Sequence, residues 1–398
     1  MYPDLSYILH DIFGSQPDNA FSIVKTFGLF LVISILVAAF FFAKELERKD
    51  KEGLFQPIVS TIIIGKPASP LSLFLNGLLG FFIGFKFFYI VSNFPDFQAD
   101  PAAVIFSLKG IGETLSWIGG LGLAAVFTWI KYQEKQKAKL PKPREETISL
   151  KPHERIGDIT VVSVLSGIIG AKLFAMIEDL DMVFSGKISL SYWLSQFFSG
   201  SGMAIYGGLI LGFIGGYAYL RYLKIRPLPV FDAVAPALMI SYGVGRLGCH
   251  FSGDGDWGIV NTAAKPGWIP QFLWSYDYPN NVINESANSV IEGCQWNYCN
   301  VLAEAVYPTP LYEFIMALII FLLLMALSKR IKIVGMIFFI YIFLNGIERF
   351  LIEKIRVNDK YDWFFNFTQA EMIALGLMLV GIIGTLVVWR KGRKEVGN

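Results

Sequence analysis

The sequence contains nine long apolar stretches, each close to the length of about 20 residues that crosses the hydrocarbon core of a bilayer. They occupy residues 23–43, 71–91, 114–130, 159–177, 202–222, 230–249, 311–327, 333–349 and 370–389. The chain is 54% hydrophobic and 17% charged over its 398 residues, far from the balance of a soluble domain. Because a backbone in lipid must satisfy its own polar groups, these stretches predict an all-α polytopic membrane protein with about nine transmembrane helices.

Lysine and arginine are concentrated in alternate connections between these stretches. Residues 44–70, 131–158, 221–228 and 328–332 and the tail from residue 390 together hold 23 of the 34 basic residues. The positive-inside rule places these segments in the cytoplasm and the N-terminus outside, which requires an odd number of spans. Three aspartates replace a basic region within the first 22 residues, so no cleavable signal peptide is predicted. The formal net charge of +2 gives no support for nucleic-acid binding.

The spans and loops together predict the organisation of the chain. It consists of an extracytoplasmic N-terminus (1–22), the first helix with an extra hairpin (23–131), a basic cytoplasmic linker (132–158), core helices (159–249), a small extracytoplasmic cap (250–310), C-terminal core helices (311–390) and a cytoplasmic tail (391–398). The linker is expected to meet anionic lipid head groups. The cap holds four of the nine tryptophans, which favours membrane anchoring over catalysis. A disulfide between Cys294 and Cys299 is compatible with an extracytoplasmic loop.

A helical hairpin is repeated along the chain. The segment IGFKFFYI, with Gly84 and Lys86, resembles IGAKLFAM, with Gly170 and Lys172, 86 residues later. The segment from 116 to 132 lines up in the same way with the segment from 204 to 222. Small-residue faces recur in membrane helices and can imitate such a likeness. The matched lysines favour a tandem duplication in the same orientation.

Arg246 is the most informative charged residue within the apolar stretches. It lies near the end of SYGVGRLGCHFSGDGDWG (241–258), where a small-residue helix runs into a Gly- and Asp-rich turn. A charge at such a depth marks a site by default, and a phosphate is the natural partner of a guanidinium. An arginine that snorkels from the end of a helix is an equally good interpretation of this residue alone.

A second charged group ends the eighth span, in NGIERFLIEKIR (345–356). Arg349, Glu353 and Arg356 are spaced i, i+4 and i+7, which predicts one helical face. Glu353 is then expected to hold both arginines while one guanidinium stays available to an oxyanion. On spacing alone an interfacial salt-bridge ladder is the favoured interpretation.

These segments together resemble the bacterial prolipoprotein diacylglyceryl transferases. GVGRLGCHFSGDGDWG resembles that family's Gly-Arg-x-Gly-Asn-Phe signature followed by a Gly-Glu turn and Trp-Gly. In the same order, TFGLF (26–30), SGMAIYGGLILG (201–212), FDAVAP (231–236), YPTPLYE (307–313) and RFLIEKIR (349–356) resemble its other motifs. The resemblance implies a seven-helix family core, to which the duplicated hairpin adds two spans.

The chain departs from the family pattern at several chemically important positions. Tyr206 stands where the family has a histidine before Gly-Gly, and Cys249 stands where the signature has asparagine. The turn glutamate corresponds to Asp254 or Asp256, and the first-helix tyrosine is Phe27. Both signature arginines are retained. These changes leave the fold inference intact and bear on the chemistry.

The resemblance implies transfer of a diacylglyceryl group from phosphatidylglycerol to the lipobox cysteine of a prelipoprotein, at a bacterial cytoplasmic (inner) membrane. Arg246 and Arg349 would neutralise the phosphate, and Tyr206 or His250 would take the thiol proton, although a plain interfacial hydrogen bond is the favoured role for His250. Expected substrate-binding residues are Lys172, Gly207, Gly208, Cys249, Asp254, Asp256, Tyr312, Glu313, Glu353 and Arg356. The expected partners are phosphatidylglycerol, the prelipoprotein signal peptide and membrane lipids.

No metal or cofactor is predicted, because three histidines without CxxC or HExxH are too few for a multi-histidine centre. The alternative function is that of an altered or inactive paralogue that binds phospholipid, lipoprotein or a membrane-complex partner. Loss of the family histidine and the duplicated hairpin favour this alternative, and the retained arginines favour the enzyme.

Overall fold

The structure is a computed structural model that describes residues 1–55, 58–64, 66–99, 101–106, 109–140, 144–197, 204–283, 288–358, 360–361 and 366–396. The first two residues of the span predicted at 202–222 and the last two residues of the predicted tail lie outside this set. The chain divides into two compact units. Unit 1 contains Met1–Phe55 and Arg226–Asn398, and unit 2 contains Gln56–Ile225.

The described chain is mostly helical. The helices are α1 (Leu5–Phe13), α2 (Thr26–Lys51), α3 (Pro70–Ser92), α4 (Phe94–Ala99), α5 (Pro101–Phe106), α6 (Thr114–Lys137), α7 (Ile156–Glu178), α8 (Leu180–Phe184), α9 (Leu190–Gln196), α10 (Ile205–Tyr222), α11 (Pro227–Ser252), α12 (Gln271–Trp274), α13 (Thr309–Arg330), α14 (Met336–Glu353) and α15 (Gln369–Val396). The strands are β1 (Ile58–Ile64), β2 (Arg144–Leu150), β3 (Asn288–Val290), β4 (Asn300–Leu302), β5 (Lys360–Tyr361) and β6 (Phe367–Thr368).

Seven helical stretches among the described residues are long and apolar enough to cross a membrane. They are Thr26–Lys51, Pro70–Ser92, Thr114–Lys137, Pro152–Phe184, Pro227–Ser252, Thr309–Arg330 and Gln369–Arg393. The mostly helical, multi-spanning class is therefore confirmed. The two other predicted spans coincide with α10 and α14, which are not among the seven, and α14 carries three charged residues. The count of nine stays a prediction.

Helix α11 lies at the centre of unit 1, where it packs against α2, α13 and α14. The core beside it consists of Ala235, Met239, Ile240, Ala317, Phe321, Leu324 and Ile337. Gly243 of α11 faces Ala317 and Phe314, and a Cβ at this glycine would lie 2.9 Å from the Ala317 Cβ. The small residue therefore lets α11 and α13 approach closely, which fixes the distance between the helices that carry the site.

Asp232 positions the start of α14. Its carboxylate accepts hydrogen bonds from the backbone N–H groups of Gly335 (2.6 Å) and Phe338 (2.9 Å). These N–H groups lack partners inside α14 because they belong to its first turn. Gly335 adopts a φ of +87°, a conformation that glycine tolerates without strain. The aspartate of FDAVAP thus caps a neighbouring helix.

The segment between α11 and α13 and the N-terminal residues pack together within unit 1. Strands β3 and β4 pair antiparallel, and Cys294 is bonded to Cys299 in a disulfide beside them. The Tyr298 N–H donates to the Tyr7 hydroxyl (3.1 Å), and the Asn297 N–H donates to Asp18 (2.9 Å). Residues of the predicted N-terminal segment (1–22) are therefore tied to the segment between α11 and α13.

Unit 2 contains two helical hairpins that use the same glycine contact. In one, α3 packs against α6, and a Cβ at Gly84 would strike the backbone oxygen of Gly119. In the other, α7 packs against α10, and a Cβ at Gly170 would strike the backbone oxygen of Gly207. The two contacts therefore join matching positions of the sequence repeat, in which Gly84 corresponds to Gly170 and Gly119 to Gly207.

The predicted linker at 132–158 contains more regular structure than its composition suggests. Helix α6 continues to Lys137, and β2 pairs antiparallel with β1 in a register that joins Ile58 to Leu150 and Ile64 to Arg144. The sequence predicted a basic cytoplasmic linker without an apolar period here, and this assignment stays a prediction. The pairing of β2 gave no signal in the sequence, because its partner strand lies 80 or more residues earlier.

Candidate functional site

Arg246 lies on the last turns of α11 with most of its side chain buried (15% exposed). Its Nη1 donates to the Asp256 carboxylate, and its Nε lies 3.2 Å from Glu313 Oε2. The guanidinium carbon stands 5.2 Å from the centre of the Tyr242 ring, one helical turn earlier. A buried guanidinium held on three sides has one fixed orientation, which is the condition for recognising a planar oxyanion.

The turn after α11 brings Asp256 back towards Arg246. Gly253 ends the helix in the left-handed conformation (φ +66°), and Gly255 follows with φ +93°. The Asp256 N–H donates to Asp254 Oδ1 (3.3 Å), and the Asp256 carbonyl accepts from the Thr309 hydroxyl (2.8 Å). The Gly- and Asp-rich sequence therefore forms a tight loop that carries a carboxylate to the buried arginine.

Asp256 pairs with two guanidinium groups, those of Arg246 and Arg356. Burial acts to raise the pKa of the Asp256 carboxyl, but the two guanidinium charges outweigh it and hold that pKa below its usual value. The pKa of Asp254 is raised, first by burial and then by the nearby Asp256 charge. One aspartate of the turn is thus held ionised, and the other is disfavoured as an anion.

Glu313 of α13 is the point where three arginines meet. Its fully buried carboxylate lies 3.2 Å from Arg246 Nε, 3.6 Å from Arg356 Nη1 and 3.7 Å from Arg349 Nη1. Tyr242 donates a hydrogen bond to it (2.9 Å). Arg246 and Arg349, the two arginines predicted to neutralise the phosphate, therefore both lie beside this carboxylate.

Glu353 holds only one of the two arginines expected for it. Its Oε2 lies 3.0 Å from Arg349 Nη2, while its Oε1 accepts hydrogen bonds from Asn358 (2.5 Å) and Thr368 (2.8 Å). The placement of Arg356 on the same helical face was wrong, because α14 ends at Glu353 and the chain turns away. Arg356 instead reaches Asp256 and Glu313.

Two of these guanidinium groups keep a buried nitrogen without a hydrogen-bond acceptor among the described residues. They are Nη1 of Arg349 and Nη1 of Arg356, which lie within ion-pair distance of Glu313 (3.7 Å and 3.6 Å) but too far from it for a hydrogen bond. A buried charged donor that lacks a partner is costly unless another group satisfies it. This pair of donors is suited to a bound oxyanion.

His250 and Cys249 lie on the same last turn of α11, and both are buried. The His250 Nδ1 is 3.1 Å from the hydroxyl of Tyr278, and the imidazole packs against the rings of Tyr276 and Tyr278. The Cys249 thiol lies in a group with the two turn aspartates whose ligand atoms are within 4.8 Å of one another. Such a set could hold a cation, but the two arginines on Asp256 oppose one.

Tyr312, a predicted substrate-binding residue, and Gly258 of the signature segment lie beside this cluster. Tyr312 donates its hydroxyl proton to the Leu273 carbonyl (2.7 Å), which ties the start of α13 to the segment before it. Gly258 pairs with Arg356 in an isolated β-bridge, and a Cβ at Gly258 would lie 2.5 Å from the Ile355 carbonyl oxygen. Close backbone approach at Gly258 therefore sets the position of Arg356.

Four predicted site residues lie in unit 2. Gly207 and Gly208 face α7, where they permit its close contact with α10. Lys172 donates to the backbone carbonyl of Gln196 (3.4 Å), much as Lys86 donates to that of Val104 (2.9 Å) in the other hairpin. Tyr206 is 37% exposed on α10. Within the described residues, the structure therefore gives the glycines and Lys172 contacts inside their own hairpin.

Comparison with known proteins supplies the family. A model of the prolipoprotein diacylglyceryl transferases matches residues 140–388. The chain belongs to the prolipoprotein diacylglyceryl transferase family. Its relatives include phosphatidylglycerol–prolipoprotein diacylglyceryl transferases of Corynebacterium glutamicum (29% identical over 61% of this chain and 71% of the relative), Leptospira interrogans (25% over 60% and 80%) and Staphylococcus aureus (29% over 59% and 73%).

Family membership and the seven apolar helices identify a multi-pass membrane protein. The family match begins at residue 140, so α2 and the α3–α6 hairpin lie outside it. All the predicted site residues lie inside it. The first-helix resemblance at 26–30 therefore depends on the motif alone.

Two residues of the cluster, Tyr242 and Glu348, were not predicted from the sequence. Tyr242 precedes Arg246 by four residues and so shares its helical face, a signal that the spacing does contain. Glu348 precedes Arg349 directly, and adjacent residues on a helix face different directions, so nothing in the spacing linked it to the site. The Tyr242 hydroxyl lies 3.2 Å from Glu348 Oε1, within hydrogen-bond distance.

Proposed function

We propose that this member of the prolipoprotein diacylglyceryl transferase family moves a diacylglyceryl group from phosphatidylglycerol to the cysteine thiol of a prolipoprotein. The names of its relatives supply the donor and the acceptor. The observation that carries the proposal is the convergence of Arg246, Arg349 and Arg356 on Glu313, with two buried Nη1 atoms lacking acceptors among the described residues.

The phosphate of the lipid is the group that this cluster suits. When the bond between the glyceryl carbon and the phosphate oxygen breaks, negative charge accumulates on the leaving phosphate. Fixed guanidinium groups in a site that excludes water stabilise that charge without reorganising, and one such donor is worth about 2.7–4 kcal/mol in other enzymes. Arg349 and Arg246 are the residues proposed to hold the phosphate.

The acceptor thiol must lose its proton, because the thiolate is the nucleophile. His250 is proposed as the group that takes this proton, since Tyr206 stands at the position where the family has histidine. Its Nδ1 is engaged with the Tyr278 hydroxyl, which fixes the ring and leaves Nε2 as the nitrogen for proton transfer. A plain hydrogen-bonding role for His250 is the alternative that the experiment must separate.

The proposal extends to the membrane arrangement. Nine spans, with α10 and α14 included, place the N-terminus outside and the basic tail in the cytoplasm of a bacterial inner membrane. The segment 250–310 then forms a small cap at the outer surface, on the side of the bilayer where the turn aspartates of α11 lie. Lys172 is proposed to bind substrate, and the signal peptide and the acyl chains are proposed to enter from the bilayer.

A second candidate is an altered paralogue that binds phospholipid, lipoprotein or a membrane-complex partner without transferring the lipid. The specific observations that favour it are Tyr206 and Cys249, which replace the histidine and the asparagine of the family motifs. The first replacement removes a proton-transfer group and the second removes a hydrogen-bonding amide, while the arginines stay in place.

One assay separates the two candidates. The purified full chain is incubated with phosphatidylglycerol and a lipobox peptide, and the peptide mass and the released glycerol phosphate are measured. A gain of one diacylglyceryl group with equimolar glycerol phosphate supports the transferase. Lipid binding with no mass gain, under conditions where a relative is active, refutes it in favour of the paralogue.

A further inference from the structure

The hydroxyl of Tyr242 lies between two carboxyl groups. Its oxygen is 2.9 Å from Glu313 Oε1 and 3.2 Å from Glu348 Oε1. A phenol has a single hydrogen, so it can make only one full donated hydrogen bond. A second full hydrogen bond needs a carboxyl that carries a proton and donates it to the phenol oxygen. Two full hydrogen bonds therefore require one proton more than two ionised carboxylates and a tyrosine hold.

Glu348 is the carboxyl that carries this proton. Glu313 lies within ion-pair distance of three guanidinium groups and stays ionised, whereas no ion pair among the described residues includes Glu348. Glu348 is 2% exposed, and its Oε2 has no hydrogen-bond partner among those residues. An isolated carboxylate at such a depth is neutralised by taking up a proton.

The other charged and titratable groups around Glu348 do not change this assignment. Arg246 of α11 is paired with Asp256 and Glu313. Arg349, which follows Glu348 on α14, is paired with Glu353. Tyr341 lies two turns earlier on α14, and an ordinary phenol carries no charge near neutral pH. Helix α15, which packs against α14, contributes Glu371, whose carboxylate is bonded to Lys354 and Thr368.

The charge balance of the cluster favours a neutral Glu348 when lipid is bound. Three guanidinium groups face the carboxylates of Asp256, Glu313 and Glu353, which makes the cluster neutral. A phosphodiester adds one negative charge, and an ionised Glu348 would add a second beside it. Like charges repel strongly in a medium of low dielectric constant, so Glu348 keeps its proton as the lipid enters.

We infer that Glu348 is a positioning residue that stores a proton and passes it through Tyr242 to the phosphate that leaves during the proposed transfer. The inference rests on the proposed function. The sulfur–carbon bond forms as the glyceryl carbon–oxygen bond breaks, and the electron pair of the broken bond stays on the phosphate oxygen. Tyr242 gives its proton to that oxygen, and Glu348 restores the proton of Tyr242. His250 holds the thiol proton during this step and releases it afterwards, when the Glu348 carboxylate takes a proton back, so glycerol phosphate gains the proton that the thiol loses.

The test compares Glu348→Gln and Tyr242→Phe with the wild-type chain in the transfer assay over a range of pH. We expect each variant to transfer about 100-fold more slowly, since general acid catalysis contributes about 10²–10⁴. In the wild type the rate falls at high pH as Glu348 ionises, and in Glu348→Gln this fall is absent. Glu348→Asp restores part of the rate. A wild-type rate and pH profile in both Glu348→Gln and Tyr242→Phe overturns the inference.

Glu45→Gln is the matched control. Glu45 of α2 is also buried (1% exposed) and ion-paired with Arg48, but it contacts Ser328 at the other end of α13 from the site. The same substitution there removes a buried carboxylate without touching the cluster, so it keeps the pH profile of the wild type. Loss of the high-pH fall in Glu45→Gln as well would assign the effect to general destabilisation and overturn the inference.

An infrared spectrum of the purified chain tests the stored proton without any activity. A protonated carboxylic acid has a carbonyl band that a carboxylate lacks, and we expect this band in the wild type and its loss in Glu348→Gln. An unchanged band in Glu348→Gln overturns the inference even where transfer is observed. Conversely, a band lost in Glu348→Gln with no transfer by the wild type supports the stored proton and refutes the proposed function.

Discussion

Glu313→Gln is the perturbation that tests the arginine cluster most directly. Glutamine keeps the shape of the side chain and can still accept the hydrogen bond from Tyr242. It removes the one negative charge that lies 3.2–3.7 Å from three guanidinium groups at a fully buried position. The cluster is then left with one positive charge in excess, which the phosphate of a bound lipid can neutralise.

The size of the effect follows from the burial of Glu313. Removing one partner of a buried ion pair costs about 3–5 kcal/mol, because the other charge remains buried without compensation. A ligand at 100 times its dissociation constant stabilises the folded state by about 2.7 kcal/mol. Phosphatidylglycerol should therefore recover a large part of the stability that Glu313→Gln loses.

The assay is thermal unfolding in detergent micelles with added phosphatidylglycerol or, as the comparison, diacylglycerol, which has the same acyl chains without the phosphate. Glu45→Gln again serves as the matched variant, because it breaks a buried pair with Arg48 outside the cluster. We expect phosphatidylglycerol to raise the melting temperature of Glu313→Gln more than that of Glu45→Gln, and diacylglycerol to raise neither. Equal lipid effects on the two variants would refute the assignment of the cluster to the phosphate.

The remaining predictions concern single groups of the site. Arg349→Lys should reduce glycerol phosphate release by about 10²–10³-fold, since lysine lacks the planar fork, and an unchanged rate would remove Arg349 from the phosphate site. His250→Gln should reduce lipid transfer to a lipobox peptide by about 10²-fold or more if His250 takes the thiol proton, and unchanged turnover eliminates it as the base. Burial raises the pKa of Asp254, so its ionised form destabilises the folded state at high pH. Asp254→Asn should therefore raise the melting temperature at pH 7 and have no effect below the normal carboxyl pKa. A lower melting temperature at pH 7 would contradict the raised pKa of Asp254. Lys172→Met should slow transfer more than Lys86→Met, the same change at the matching position of the other hairpin. Equal rates would assign both lysines only a structural role, through their hydrogen bonds to backbone carbonyls.

The helices were largely predictable because apolar length is a strong signal in this chain. The predicted spans at 71–91 and 311–327 lie within the helices Pro70–Ser92 and Thr309–Arg330. The ends were less predictable, since α2 continues to Lys51 and α6 to Lys137 through charged residues that an apolar pattern excludes. A helix does not need an apolar face once it has left the hydrocarbon region, so its polar end gives no hydropathy signal.

The members of the arginine cluster were predictable, and their pairing was not. Arg246, Arg349 and Arg356 each stood out as charges within or beside apolar helices. Which carboxylate each one meets depends on where α14 stops and on how closely the helices approach, and neither follows from residue spacing. The end of α14 at Glu353 redirects Arg356 to Asp256, which lies 100 residues away in the sequence.

The departure at position 206 removes a proton-transfer group, whereas the arginines proposed to bind the phosphate are retained. The transfer needs a proton acceptor for the thiol and a proton donor for the leaving phosphate. Over one cycle the two needs cancel, because the proton lost by the thiol is the proton gained by the phosphate. A group that stores one proton beside the arginines can therefore protonate the phosphate and recover its proton afterwards, whichever residue takes the thiol proton. Tyr242 and Glu348 have that position. The loss of the histidine at position 206 thus bears on the thiol proton and leaves this second step in place.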